Sequence, residues 1–179
     1  AFDVLGVDIS QRQITAARRN VPEARFLVAD FAELHFPTGS FDGVTALYTI
    51  SHVPREQHEE LFVRIGDWLT PGGLFLATLG AADSPDWIGP WLEVPMFFSS
   101  YGPPKNRQML LAAGFELVVD EILETNEPEG RVAFQWVLAR KRIQLVSPTV
   151  TTSSQPDNAA PAQDPLEDGP PAPAGGSSP

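Results

Sequence analysis

FDVLGVDISQRQITAARRN, residues 2–20, and RFLVAD, residues 25–30, decide how this chain folds. Phe2–Asp8 is short, apolar and rich in β-formers, as a buried parallel strand is. Ser10 then offers a helix N-cap, with Gln13 at the third helical position completing a capping box. Gln11–Asn20 reads as the helix, with Ile14 and Ala17 turned to a sheet and Arg12, Arg18 and Arg19 to water. Arg25–Asp30 is the returning strand. A strand, a helix and a second strand in so few residues make a βαβ unit, whose strands run parallel.

Outward from this unit, Phe31–Ser40 reads as a loop and Phe41–Tyr48 (FDGVTALY) as a third strand. Pro54 opens a helix to about Leu69, with Leu61, Ile65, Trp68 and Leu69 on one apolar stripe. Pro71-Gly72-Gly73 stops it, and Leu74–Leu79 is another apolar strand. Gly80–Pro104 reads as long and irregular. Lys105–Ala113 is a short helix closed by Gly114. Phe115–Glu124 and Val132–Arg140 read as an antiparallel hairpin around Asn126–Gly130. The expected class is α/β: a Rossmann-like, mainly parallel sheet with helices on both faces and a C-terminal antiparallel hairpin.

Composition divides the chain. Residues 147–179 hold eight of the 18 prolines and no Lys, Arg or aromatic residue, so this tail is expected to be disordered. Residues 1–146 are long enough for one domain with a core. The net charge is −11, about −7 without the tail, which disfavours a nucleic-acid partner. The chain has no cysteine, which excludes disulfides and thiolate metal sites, and no apolar run long enough to span a membrane. With no signal-peptide pattern visible, a cytoplasmic protein is expected. His52 and His58 do not have metal-motif spacing, and no metal site is expected.

Ligands of open α/β sheets bind beyond the carboxyl ends of the strands. Asp8 ends the first strand, where it can accept from both hydroxyls of a nucleoside ribose or simply cap the helix. Ile9 can cover an adenine face. Asp30 and Phe31 end the second strand; the carboxylate can accept from an adenine amino group and the next N–H can donate to a ring nitrogen, or Asp30 forms a plain Asx turn. Tyr48 to Pro54 end the third strand. His52 is the candidate general base, its alternative role being to order the loop through a backbone bond. His35 reads as a surface loop residue. Trp87, Trp91, Met96, Phe97, Phe98 and Tyr101 form either a lid over a small acceptor or plain core.

The ordered string GVDIS-x3-I-x2-AR, F-x-VAD-F-x-EL-x-FP-x-x-SFD-G-V, HVP-x3-H and W-L-x-PGG-L-F-L-A-T resembles the class I S-adenosylmethionine-dependent methyltransferases, from about Phe2 to Arg142. MFFSSYGPPKNRQMLLAAGFELVVDE is similar to a bacterial small-molecule subgroup. The resemblance implies a seven-stranded sheet, S-adenosylmethionine as cofactor, and a small-molecule acceptor methylated by in-line displacement. It implies Asp8 as the ribose ligand, Ile9 against adenine, Asp30 and Phe31 at the adenine edge, and Tyr48 beginning the segment on the methyl side. The family's first strand and its G-x-G-x-G loop, which precede the position of Phe2, are not in this sequence. The chain is therefore expected to be an incomplete fold, inactive by itself. Without that strand a gap of roughly two strand spacings lies between Phe2–Asp8 and Phe41–Tyr48, so the chain is expected to be unstable alone, or these two strands to collapse together and deform the site.

Two rivals were weighed. A nicotinamide-dependent oxidoreductase would use Tyr101-x-x-x-Lys105 on one helix face, which Gly102, Pro103 and Pro104 oppose. A non-catalytic methyltransferase-like interaction module would use the acidic tail.

Overall fold

A computed structural model describes residues 2–91, 93–127 and 130–143. The tail of residues 147–179 lies outside the described residues. In chain order the elements are β1 (Leu5–Asp8), α1 (Gln11–Asn20), β2 (Arg25–Val28), β3 (Phe41–Ala46), α2 (His58–Trp68), β4 (Leu69–Gly80), β5 (Ser84–Trp91), β6 (Val94–Ser100), α3 (Pro103–Ala112), β7 (Phe115–Glu127) and β8 (Gly130–Lys141). Short 3-10 turns occupy Phe31–Glu33, Ile50–His52 and Arg55–Gln57.

The βαβ unit forms as its sequence requires. Ser10 Oγ accepts the Gln13 N–H at 3.3 Å, and Ile14 is the buried residue of α1. β1 and β2 pair in parallel, Asp8 opposite Val28. Gly6 is needed here: a Cβ would stand 2.7 Å from the Phe26 ring.

The larger body is a four-stranded sheet in the order β3-β4-β8-β7. β3 and β4 are parallel, while β8 is antiparallel to both β4 and β7. Phe75, Ala77 and Leu79 of β4 face the same way as Val137 and Ala139 of β8. They form one buried core with Leu61, Phe62 and Ile65 of α2 and Met109 and Leu110 of α3. The opposite face carries Leu47, Leu74, Val119 and Leu123, each more than a third exposed. Gly114, at φ +87°, ends α3 as its sequence position implied.

β1–β2 and β3–β4–β8–β7 are separate sheets among the described residues. The expected collapse of Phe2–Asp8 onto Phe41–Tyr48 is not found, since β1 and β3 do not pair.

Three expectations are corrected. The helix expected from Pro54 to about Leu69 is α2, His58–Trp68, and Leu69 with Pro71-Gly72-Gly73 already lies in β4. Gly80–Pro104 is not irregular: it holds the antiparallel ribbon β5–β6, with Pro90 opposite Pro95 and Trp87 opposite Phe98. Its prolines obscured it, yet proline is tolerated on strands with a free edge. The helix expected from Lys105 begins at Pro103, since proline fits the first helical turn.

Candidate functional site

Asp8 is the last residue of β1 and Asp30 lies two residues past the end of β2, both at the carboxyl ends of two adjacent parallel strands. Asp8 Oδ1 accepts the Ser10 N–H at 2.7 Å, which fixes the carboxylate at the start of α1. Ser10 supplies the helix cap, so Asp8 is not spent on capping. Asp30 Oδ1 accepts the Ala32 N–H at 2.8 Å. This is the Asx turn weighed from the sequence, and it engages one carboxylate oxygen. Ile9 is 72% exposed at the strand end, an apolar side chain with little protein around it. The Phe31 ring instead turns inward, packing edge-on against Trp68 at 5.9 Å and joining the core. Its backbone is what remains for an adenine edge; the bonds of this turn are made by the Ala32 and Glu33 N–H groups. A cleft of about 340 Å³ between β1 and α1 is lined by Gly6, Val7, Asp8, Gln13 and Ile14, among others.

The second group follows β3. Tyr48 has φ +56°, a left-handed backbone unusual for a bulky residue. Its N–H donates to Thr78 Oγ1 at 2.5 Å, and its ring meets Phe134 edge-on at 4.9 Å. Such backbone strain persists only where neighbours hold it, and here Thr78 and Phe134 do. Four residues later, His52 is exposed, and its Nδ1 donates to the Phe97 carbonyl at 2.8 Å. The backbone bond weighed for His52 exists, and it reaches β6 rather than the residue's own loop. His35 bonds the Glu33 carbonyl at 2.9 Å on an exposed turn.

His58, set aside from the sequence, is buried in α2 and donates Nε2–H to the Val53 carbonyl at 2.9 Å. Burial pushes its pKa below the usual histidine value. It therefore stays neutral and anchors the base of the segment that carries His52.

The aromatic residues of the ribbon divide in two. Trp87 stacks on Phe98 at 5.1 Å and Trp91 meets Phe98 edge-on at 6.0 Å. Tyr101 stands apart, under the Arg55 guanidinium at 4.9 Å. It precedes α3, whereas Lys105 lies within it, so the two do not share a helix face as the oxidoreductase reading needs.

Sequence reasoning missed three polar groupings. Ser99, buried on β6, accepts the Arg55 N–H at 3.0 Å and donates to Asp86 at 2.5 Å. Arg55 also pairs with Asp83. Asn106, buried in α3, donates to the Gly80 and Tyr101 carbonyls and to Gln135. Gln135 and Arg107 both donate to Asp120. Partial burial pulls the Asp120 pKa upward, but these two partners outweigh it and hold the carboxyl below the usual range. No local motif signals such contacts, because all the partners but the Tyr101 carbonyl lie 13 to 44 residues apart.

No group of His, Cys, Asp and Glu suited to a metal ion occurs among the described residues. No helix of the described residues is long and apolar enough to cross a membrane.

Residues 1–73 match a family model described as a methyltransferase domain. No curated protein matches the chain significantly. Many solved structures share the fold. An S-adenosylmethionine-dependent methyltransferase from Methanosarcina mazei aligns at TM-score 0.69 and 16% identity, over 79% of this chain and 83% of that one. The 1,6-didemethyltoxoflavin-N1-methyltransferase of Burkholderia thailandensis, solved with 1,6-didemethyltoxoflavin and S-adenosylhomocysteine, aligns at TM-score 0.60 and 22% identity, over 78% and 61%. The [4+2]-cyclase SpnF aligns at TM-score 0.62 and 17% identity, over 80% and 67%. The cyclase shows that this fold alone does not fix a reaction. Residues 1–73 thus match a methyltransferase-domain model, and the described chain shares its fold with solved S-adenosylmethionine-dependent methyltransferases.

Proposed function

We propose that this chain supplies the adenosine-binding half and the acceptor side of a methyltransferase that uses S-adenosylmethionine to methylate a small molecule. The observation that carries this is the pair Asp8 and Asp30 at the carboxyl ends of adjacent parallel strands, each with one oxygen fixed by a backbone N–H. Fixed carboxylates suit the hydroxyl and amino donors of adenosine and lose little freedom on binding. Exposed Ile9 offers an apolar surface for the base. The residues present thus fit the adenosine part of the cofactor. The methionine part is held in the family by a glycine-rich loop, and the described residues form no such loop. Residues 1–146 are accordingly read as a partial catalytic domain, working in the cytoplasm.

When bound, the cofactor supplies a methyl group already activated by its sulfonium. The chain's residues then have three tasks: to hold the nucleoside through Asp8, Ile9, Asp30 and the Phe31 backbone, to orient the acceptor, and to exclude water. Tyr48, with its backbone fixed by Thr78, stands at the β3 end that faces these tasks. His52 Nε2 is the atom to take a proton from an acceptor that must lose one. The ring pair Trp87–Phe98 offers an apolar wall for that acceptor. The small-molecule acceptor of the Burkholderia thailandensis protein is consistent with such a wall.

Calorimetric titration of the full-length protein with S-adenosylmethionine tests the proposal. Binding that Asp8→Ala weakens supports it. No binding by the full-length protein would remove the enzyme reading and leave the interaction-module alternative. In an active preparation, turnover of His52→Ala unchanged across pH would exclude the base role.

A further inference from the structure

The ribbon β5–β6 has no sheet partner among the described residues. A lone two-stranded ribbon is marginal in water, so contacts from outside must hold this one. Its most extensive outside contact is with the Ile50–His52 turn. His52 reaches across 45 residues to donate Nδ1–H to the Phe97 carbonyl at 2.8 Å. The His52 ring lies against Phe98 at 5.2 Å, and Phe98 in turn stacks on Trp87. A second tether stands beside it: buried Ser99 accepts the Arg55 N–H and donates to Asp86 of the facing strand. Both tethers join β6 to the same connection between β3 and α2.

We propose that His52 is a positioning residue that docks the β5–β6 ribbon onto the β3–α2 connection and, by the same bond, sets its own tautomer. A carbonyl oxygen can only accept, so Nδ1 carries the hydrogen. In the neutral ring Nε2 is then the nitrogen with a free lone pair. Docking of the ribbon and readiness of the base are therefore one event. Its meaning for catalysis rests on the proposed function: a docked ribbon closes the acceptor side and presents Nε2 to it, and a released ribbon does neither.

Amide hydrogen exchange of the full-length protein, without ligand, tests the docking. His52→Ala is expected to speed exchange of the paired ribbon amides by up to about tenfold, the worth of one net hydrogen bond. His52→Asn places an N–H donor near the Nδ1 position and is expected to restore protection. His52→Gln places its donor near Nε2 and is expected not to. Unchanged ribbon exchange in His52→Ala, or exchange in His52→Asn as fast as in His52→Ala, would overturn the proposal. So would an equal rise in the amides of α2 and β4, which would mark a global loss of stability. Ser99→Ala, which removes the second tether, is expected to loosen the ribbon further when combined with His52→Ala; no additional loosening counts against a two-tether dock. None of these measurements uses S-adenosylmethionine, so docking can fail while the methyltransferase reading stands, and the reverse.

Discussion

The β1–α1–β2 unit and the β3–β4–β8–β7 body are made of similar sequence and held very differently. Both contain short apolar parallel strands followed by amphipathic helices. In the larger body, Phe75, Ala77, Leu79, Val137 and Ala139 are buried beneath α2 and α3. In the smaller unit, Ile14 is the buried hydrophobic residue, outside that core, while Leu27 and Val28 are more than a third exposed. The difference teaches that the part carrying Asp8 and Asp30 contributes little of the stability, which the larger body supplies. Under the proposed function the smaller unit contributes recognition chemistry instead, and the strand ends and ribbon of the larger body the acceptor side.

The sharpest test of this contrast is a pair of truncations. Phe75→Ala is expected to destabilise the protein by about 3–5 kcal/mol, the range for a fully buried phenylalanine. Leu27→Ala is expected to cost less than about 1 kcal/mol, since much of its side chain already meets water. Equal losses in chemical denaturation would break the comparison.

Asp8→Ala separates recognition from stability in the smaller unit. Removing a charged acceptor of two hydroxyl bonds is expected to cost about 1.5–3 kcal/mol in S-adenosylmethionine affinity, roughly 10- to 150-fold in Kd. The melting temperature without ligand should move little by comparison. A large shift in melting temperature with unchanged Kd would assign Asp8 a purely structural role.

His58 ties the body to pH. Its folded pKa lies below the unfolded value of about 6.5, so the unfolded chain binds the proton more readily between the two. Its contribution is complete above that unfolded value and is lost as pH falls beneath it, by at most about 1.4 kcal/mol per pH unit. His58→Gln can keep a donor for Val53 without titrating, and urea denaturation from pH 7 to 5 should then show a shallower decline. An unaltered slope would exclude His58 as its source. Asp120 acts in a lower window. Its depressed pKa stabilises the fold above the ordinary carboxylate range, and that contribution is lost as pH falls through its folded pKa.

The smallest effect is at the end of α3. Gly114→Ala forces a side chain into φ +87° and is expected to cost about 1 kcal/mol, read by thermal melting. A neutral result would mean that the helix end relaxes without strain.

What the sequence determined is what depends on near neighbours. The period of apolar residues marked β1, β2, β3 and the core stripe of α2. The Ser10 cap, the Gly114 stop and the final hairpin follow from local backbone chemistry. The position of Asp8 and Asp30 at strand ends was legible because the end of a parallel strand has one place to be. The ribbon was not legible, since prolines at 85, 90 and 95 argue locally against strands, and only pairing across the turn overrides them. Phe31 was half legible: its position was clear, but its ring was claimed by Trp68, 37 residues away. His52 shows the limit most plainly. Its residue type and place after β3 suggested a base, but which nitrogen is free was decided by a carbonyl on β6. Tertiary structure alone settles such matters, because a hydrogen bond is set by distance and direction in space, and separation along the chain does not enter.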